Sequence, residues 1–129
     1  MTLPALTLAV VGIDYPNKRG PSRRFELEIC RPGEPVTLRP EPNNPADPRA
    51  IAVVSCRGIQ LGYLTAERCG RIGQIMRQGV EVQAIFQSLS SSAAYIRVAF
   101  GGAMPCIPEP APESESDDQD FWPDPEWDD

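Results

Sequence analysis

Four of the chain's fifteen prolines fall within nine residues, at Pro40, Pro42, Pro45 and Pro48, interleaved with Asn43, Asn44 and Asp47. Proline fixes φ and removes a backbone donor, so this run is neither helix nor inner strand. Asn and Asp side chains bond their own backbone in tight turns. The run lies between two β-type stretches, Pro35–Leu38 and Ala50–Ser55. The two stretches are therefore joined by a stiff connection that holds its polar side chains in fixed places. Loops of this kind carry binding residues on rigid scaffolds; the same turn chemistry also serves a plain hairpin. Fifteen prolines in 129 residues leave little room for long helices.

The remaining pattern is mostly β. Leu6–Ile13 reads as a buried strand, and Pro35–Leu38 places Val36 and Leu38 inward. Arg24–Arg31 alternates, with Phe25, Leu27 and Ile29 on one face and Arg24, Glu26 and Glu28 on the other. That is the period of a half-buried strand. Arg57-Gly58 turns the chain from Ala50–Ser55 into Ile59–Leu64, a hairpin signal. Thr65 is placed to N-cap a helix over about 66–78, with Cys69, Ile72, Ile75 and Met76 as its buried stripe and Gly79 as its stop. Val80–Gln87 and Tyr95–Phe100 are further strands, joined by a flexible serine-rich loop over Ser88–Ala94.

The expected fold is mainly β: about six or seven short strands and one clear helix, closed into a small OB-like barrel over residues 1–104. Residues 105–129 form an acidic, proline-rich tail with the composition of a disordered segment. Barrels of the OB type bind single strands with a basic groove and aromatic stacking platforms. Phe25 and Phe100 read as core; Tyr15, at the end of the first strand, is the best stacking candidate.

Several function classes drop out. The chain has no histidine, so the commonest general acid/base and the Ser-His and Cys-His dyads are missing. No glycine-rich phosphate loop of the Walker type is present. Cys30, Cys56, Cys69 and Cys106 make no C-x-x-C pair, which argues against zinc. Cys30, Cys56 and Cys69 read as small buried hydrophobes in a reduced protein. The expectation is a non-enzymatic protein without cofactor or metal. No stretch reaches the ~18 apolar residues of a membrane span, and the start of the chain lacks the marks of a signal peptide; a cytoplasmic protein is expected.

Charge divides the chain. Residues 1–108 hold all twelve Lys and Arg against eight acids, a net of +4. Residues 109–129 hold ten acids and no base, a net of −10. Phosphate contacts dominate nucleic-acid affinity, so the domain and the whole chain point in opposite directions. The densest basic element is Lys18, Arg19, Arg23 and Arg24, read as an exposed loop that contacts phosphate or simply solvates the surface. The acidic tail carries Phe121, Trp122 and Trp127. Aromatic anchors among acids suit a docking peptide, similar in kind to the acidic tips of bacterial single-strand-binding proteins. Two roles follow: recruiting a repair or replication protein, or folding back on the domain's basic face as a DNA mimic. A non-catalytic adaptor acting through the tail is thus an alternative to a nucleic-acid-binding module.

Glu41-Pro42-Asn43-Asn44-Pro45, Asp47, Ala50-Ile51-Ala52-Val53 and Gly62-Tyr63-Leu64, preceded by Gly12-Ile13-Asp14-Tyr15, resemble the HIRAN domain family from about Ala9 to about Leu89. The resemblance implies an OB-like barrel like the N-terminal domain of helicase-like transcription factors. It implies a module that binds single-stranded DNA or a DNA 3′ end, in repair, replication or mobile-element biology. By the same resemblance Tyr15 stacks on the terminal base, Asn44 contacts the end nucleotide, and Asp47 accepts from the 3′ hydroxyl. Tyr63 and Phe86 line the pocket. Asn44 and Asp47 equally suit a purely structural role, capping the loop backbone. Three positions depart from the family pattern: Asp14 replaces a basic residue, and Pro16 and Ala46 replace aromatics. Each base–aromatic stack is worth ~1–3 kcal/mol, so these departures imply weaker binding.

Overall fold

The computed structural model describes residues 3–108. Six antiparallel strands close into a barrel in the order β1-β4-β3-β2-β5-β6. They are β1 Leu6–Val11, β2 Pro35–Pro40, β3 Ile51–Ser55, β4 Gln60–Leu64, β5 Val82–Leu89 and β6 Ala94–Phe100. Closure follows from the register of β1, which pairs with β4 at Val10↔Leu64 and with β6 at Leu8↔Ile96. A closed sheet has no unpaired edge, which suits strands this short. Alternation fills the interior: Leu8 and Val10 of β1, Ala84 and Phe86 of β5, and Ala94, Ile96, Val98 and Phe100 of β6 are all buried. β3 is buried along its whole length.

Helix α2, Ala66–Arg77, crosses between β4 and β5 and packs Cys69, Ile72 and Ile75 onto the core, as its spacing predicts. Gly79 ends it with φ +85°. Thr65 occupies the N-cap with extended backbone, but its side chain makes no capping bond. Its carbonyl instead accepts from the Arg68 and Cys69 amides.

A second helix, α1, spans Arg23–Ile29, where alternation reads as a strand. The Ser22 hydroxyl caps it, accepting from the Phe25 amide at 3.1 Å. Arg23, Glu26 and Leu27 are buried, at helical i, i+3, i+4 spacing. The stripe escapes a hydrophobicity reading because two of its members are charged. Each charge has partners: Glu26 accepts from Ser55 Oγ at 2.7 Å and Arg57 Nε at 2.6 Å, and Arg57 also reaches Glu34 at 3.0 Å. Phe25, expected in the core, is instead 56% exposed on the outer face with Ile29.

Smaller differences have local causes. The serine loop is shorter than its composition suggests, because β5 and β6 extend to Leu89 and Ala94. Ser90 pins the remaining turn through bonds with the amide and carbonyl of Ala93. Of the cysteines expected to be buried, Cys69 is; Cys30 is half-buried and Cys56 is exposed on the β3–β4 turn. No helix among the described residues is long and apolar enough to cross a membrane.

Candidate nucleic-acid interface

The proline-rich loop is held by its own polar side chains. Glu41 N donates to Ala50 O at 2.9 Å, closing the loop across β2 and β3. Within it, Asn44 Oδ1 accepts from the Ala46 and Asp47 amides at 2.9 and 3.2 Å. Asp47 Oδ1 accepts from the Arg49 amide at 2.9 Å. Both residues therefore brace backbone, which leaves the Asn44 amide nitrogen and the second Asp47 oxygen for other work.

Glu41 joins this loop to the sheet. Its Oε1 accepts from Tyr63 OH at 2.8 Å and from Asn44 Nδ2 at 3.1 Å, and Arg39 lies 3.4 Å from Oε2. Partial burial pushes its carboxyl up, but the bonds from Tyr63, Asn44 and Arg39 outweigh this and hold it below its ordinary value. The register places the group: Arg39 pairs with Ala52, and Ala52 pairs with Tyr63. Cross-strand partners share a face, so Arg39 and Tyr63 flank the small Ala52 on one surface. Gly62 makes this possible. A Cβ there would run into the Val11 carbonyl oxygen and come within 2.9 Å of Val10 Cγ1; only glycine lets β4 lie this close to β1.

The opposite wall is the segment between β1 and α1. Gly12, at φ +73°, turns the chain so that its carbonyl accepts from the Tyr15 amide at 3.2 Å and Arg23 Nη1 at 2.8 Å. Arg23 Nε donates to Asn17 Oδ1 at 2.9 Å, and Asn17 Nδ2 donates to Gln60 O at 3.0 Å. The Arg23 guanidinium also lies 5.6 Å from the centre of the Tyr63 ring, within cation–π range.

Between these walls lies an open cleft of about 930 Å³. Four cations line it, Lys18, Arg19, Arg23 and Arg39, against one acid, Glu41. Asn44, Tyr63 and Gln60 also line it. The Gln60 side-chain nitrogen is buried and has no hydrogen-bond partner among the described residues.

The structure thus gathers Lys18, Arg19, Arg23, Asn44 and Tyr63 from distant parts of the sequence. Tyr15 stands beside them at the Gly12 turn, 69% exposed. Asp47 is on the loop but outside the cleft lining. Arg24 points elsewhere: it pairs with Asp14 at 2.8 Å and donates to Ser91 O. The bond from Arg24 holds the Asp14 carboxyl below its ordinary value. Phe86, expected to line the pocket, is a correction: β5 turns it inward with Ala84, and it is 3% exposed in the core. Phe121, Trp122 and Trp127 lie outside the described residues. Arg39, Glu41 and Gln60 were not singled out by sequence. The one available signal was parity, since Val36 and Leu38 inward places Arg39 outward.

The HIRAN domain model matches residues 5–102. The chain belongs to the HIRAN domain family. Among solved structures, the crystal structure of the HIRAN domain of human HLTF is 25% identical with TM-score 0.60, covering 74% of each chain. A Lactobacillus plantarum protein is 26% identical with TM-score 0.63, covering 75% of this chain and 94% of that one. The HLTF HIRAN domain in its DNA-bound conformation, solved by NMR, shares the fold at 24% identity and TM-score 0.53, covering 77% and 75%. No curated protein matches the chain.

Proposed function

We propose that this HIRAN domain binds DNA, as single strands or 3′ ends, through the cleft between the Pro16–Arg23 segment and the 41–50 loop. The observation that carries the reading is the cleft itself, with four cations against one acid beside the Tyr63 ring. Family membership and the DNA-bound HLTF HIRAN domain support it. Lys18, Arg19 and Arg39 supply phosphate contacts. Arg23 is committed to Gly12, Asn17 and the Tyr63 ring, so it positions the wall. Tyr15, exposed at the Gly12 turn beside the cleft lining, stacks on a base. Asn44 Nδ2 gives one proton to Glu41 Oε1, and its second is a donor for base or phosphate oxygens. The second carboxylate oxygen of Asp47 accepts from a free 3′ hydroxyl and repels a 3′ phosphate. Arg24 neutralises Asp14, so the family's missing base there costs the cleft no net repulsion.

The test is fluorescence anisotropy with a short labelled strand carrying a 3′ hydroxyl or a 3′ phosphate, using the full chain. Three phosphate contacts predict a log–log salt slope of about −2 for a single strand. Lys18→Glu with Arg19→Glu abolishes binding. Asp47→Ala removes the preference for the hydroxyl while leaving general affinity largely intact. A folded protein that binds neither strand at low salt, or whose binding ignores Lys18→Glu/Arg19→Glu, overturns the reading.

A further inference from the structure

A second depression lies away from the cationic cleft, between α2 and the rim of the barrel. It encloses about 410 Å³ and is walled by Leu3, Leu6, Ile75 and Phe100, with Arg68 and Arg71 at its edge. The two arginines are one helical turn apart and exposed. Neither makes an ion pair or side-chain hydrogen bond among the described residues. An apolar trough flanked by guanidinium groups with no partner among the described residues fits a large apolar side chain embedded among carboxylates.

This chain contains such a segment. Asp117, Asp118 and Asp120 precede Phe121-Trp122, and Asp124 follows. We propose that the groove is the intramolecular seat of this segment, with Phe121 or Trp122 in the trough and the flanking acids on Arg68 and Arg71. Reach permits it: the thirteen residue-to-residue steps from Pro108 to Phe121 span up to ~45 Å when extended. A domain of this size has a radius of gyration of only about 13 Å. Tethering also gives the segment an effective concentration in the millimolar range, so modest contacts suffice. The DNA-binding cleft offers more positive charge, but its lining is mostly Asn, Gln, Gly, Pro and charged groups. The aromatic half of the segment therefore favours the groove. This inference does not depend on DNA binding, and it leaves the cleft open.

Both tryptophans of the chain lie in the tail, at Trp122 and Trp127, so tryptophan emission reports on the tail without a label. The expected result is emission from the full chain shifted to the blue of that from a free peptide of residues 109–129. Quenching by acrylamide is several-fold weaker in the full chain. Arg68→Glu with Arg71→Glu, both on the surface, returns both signals to those of the peptide while circular dichroism shows the barrel intact. Emission from the full chain identical to the peptide's overturns the proposal. So does a blue shift that survives Arg68→Glu/Arg71→Glu but is lost in Lys18→Glu/Arg19→Glu, which seats the tail in the cleft. A shift that grows with protein concentration also overturns it, since the groove is then filled by the tail of a second copy.

Discussion

Glu26→Ala tests whether residues 23–29 are held as a helix through charged contacts. In a strand of period two, Glu26 and Glu28 share the solvent face and their substitutions are equivalent. In α1 they are opposites: Glu26 is 2% exposed and Glu28 is exposed. Removing Glu26 deletes the 2.7 Å bond from Ser55 Oγ, and Ser55, 3% exposed, cannot turn to water instead. A hydrogen bond to a charged acceptor is worth about 1.5–3 kcal/mol, and the lost methylene adds ~0.8 kcal/mol. Relief of the buried carboxylate's desolvation works the other way. Arg57, at the rim, keeps Glu34 at 3.0 Å and meets solvent, so its loss is minor. The net is a destabilisation of roughly 2 kcal/mol, or about 10–15 °C in Tm for a domain this small. Glu28→Ala changes stability by less than about 0.5 kcal/mol. Thermal and urea unfolding of both variants decide the matter. A double-mutant cycle with Ser55→Ala is expected to show coupling of about 1 kcal/mol or more. Equal, small effects at 26 and 28 refute the reasoning.

Three further expectations follow from the geometry. Gly62→Ala forces a Cβ into the Val11 carbonyl and costs about 1–3 kcal/mol or more. Gly70→Ala in α2 meets only Arg49 Nη1 at 3.7 Å and gains up to ~1 kcal/mol of helix propensity; chemical denaturation showing the same sign for both is incompatible with this packing. Glu34, Glu41 and Asp14 are all held below ordinary values of 4.5, 4.5 and 3.8. Groups lowered in the folded state contribute stability above their unfolded pKa and lose it as pH falls through the folded one. Tm is therefore level from neutral pH to about 4.5 and falls below it; a Tm that rises on acidification contradicts the assignment. The Cys30 thiol is pushed up to about 11, chiefly by burial and against the pull of Arg57. Thiolate is the reactive form, so iodoacetamide followed by mass spectrometry should find the exposed Cys56 and Cys106 modified well before Cys30. Equal rates at Cys30 and Cys56 count against the buried placement.

Backbone constraint and hydrophobic period are local properties, and they were legible without coordinates. Prolines at 40, 42, 45 and 48 forced a loop; the apolar runs Leu6–Ile13 and Tyr95–Phe100 gave strands; Cys69, Ile72 and Ile75 gave α2. The basic character of Lys18, Arg19 and Arg23, the Asn44 turn and the exposure of Tyr15 were likewise readable. Pairing was not. Arg23 and Glu26 are buried only because Gly12, Asn17, Ser55 and Arg57 come to meet them, partners that lie 6 to 31 residues away in sequence. The same holds for the site. Arg39 and Tyr63 become neighbours through the register of β2, β3 and β4 over Ala52, and Glu41 becomes their common acceptor. Parity within β5 sent Phe86 into the core, and a single ion pair took Arg24 away from the cleft to Asp14. Outside residues 23–29, which alternate like a strand but form α1, sequence determined which segments extend, turn or coil, because those preferences act within a few residues. Which charges are buried, which are neutralised and which face the cleft depended on partners brought close only when the sheet closed.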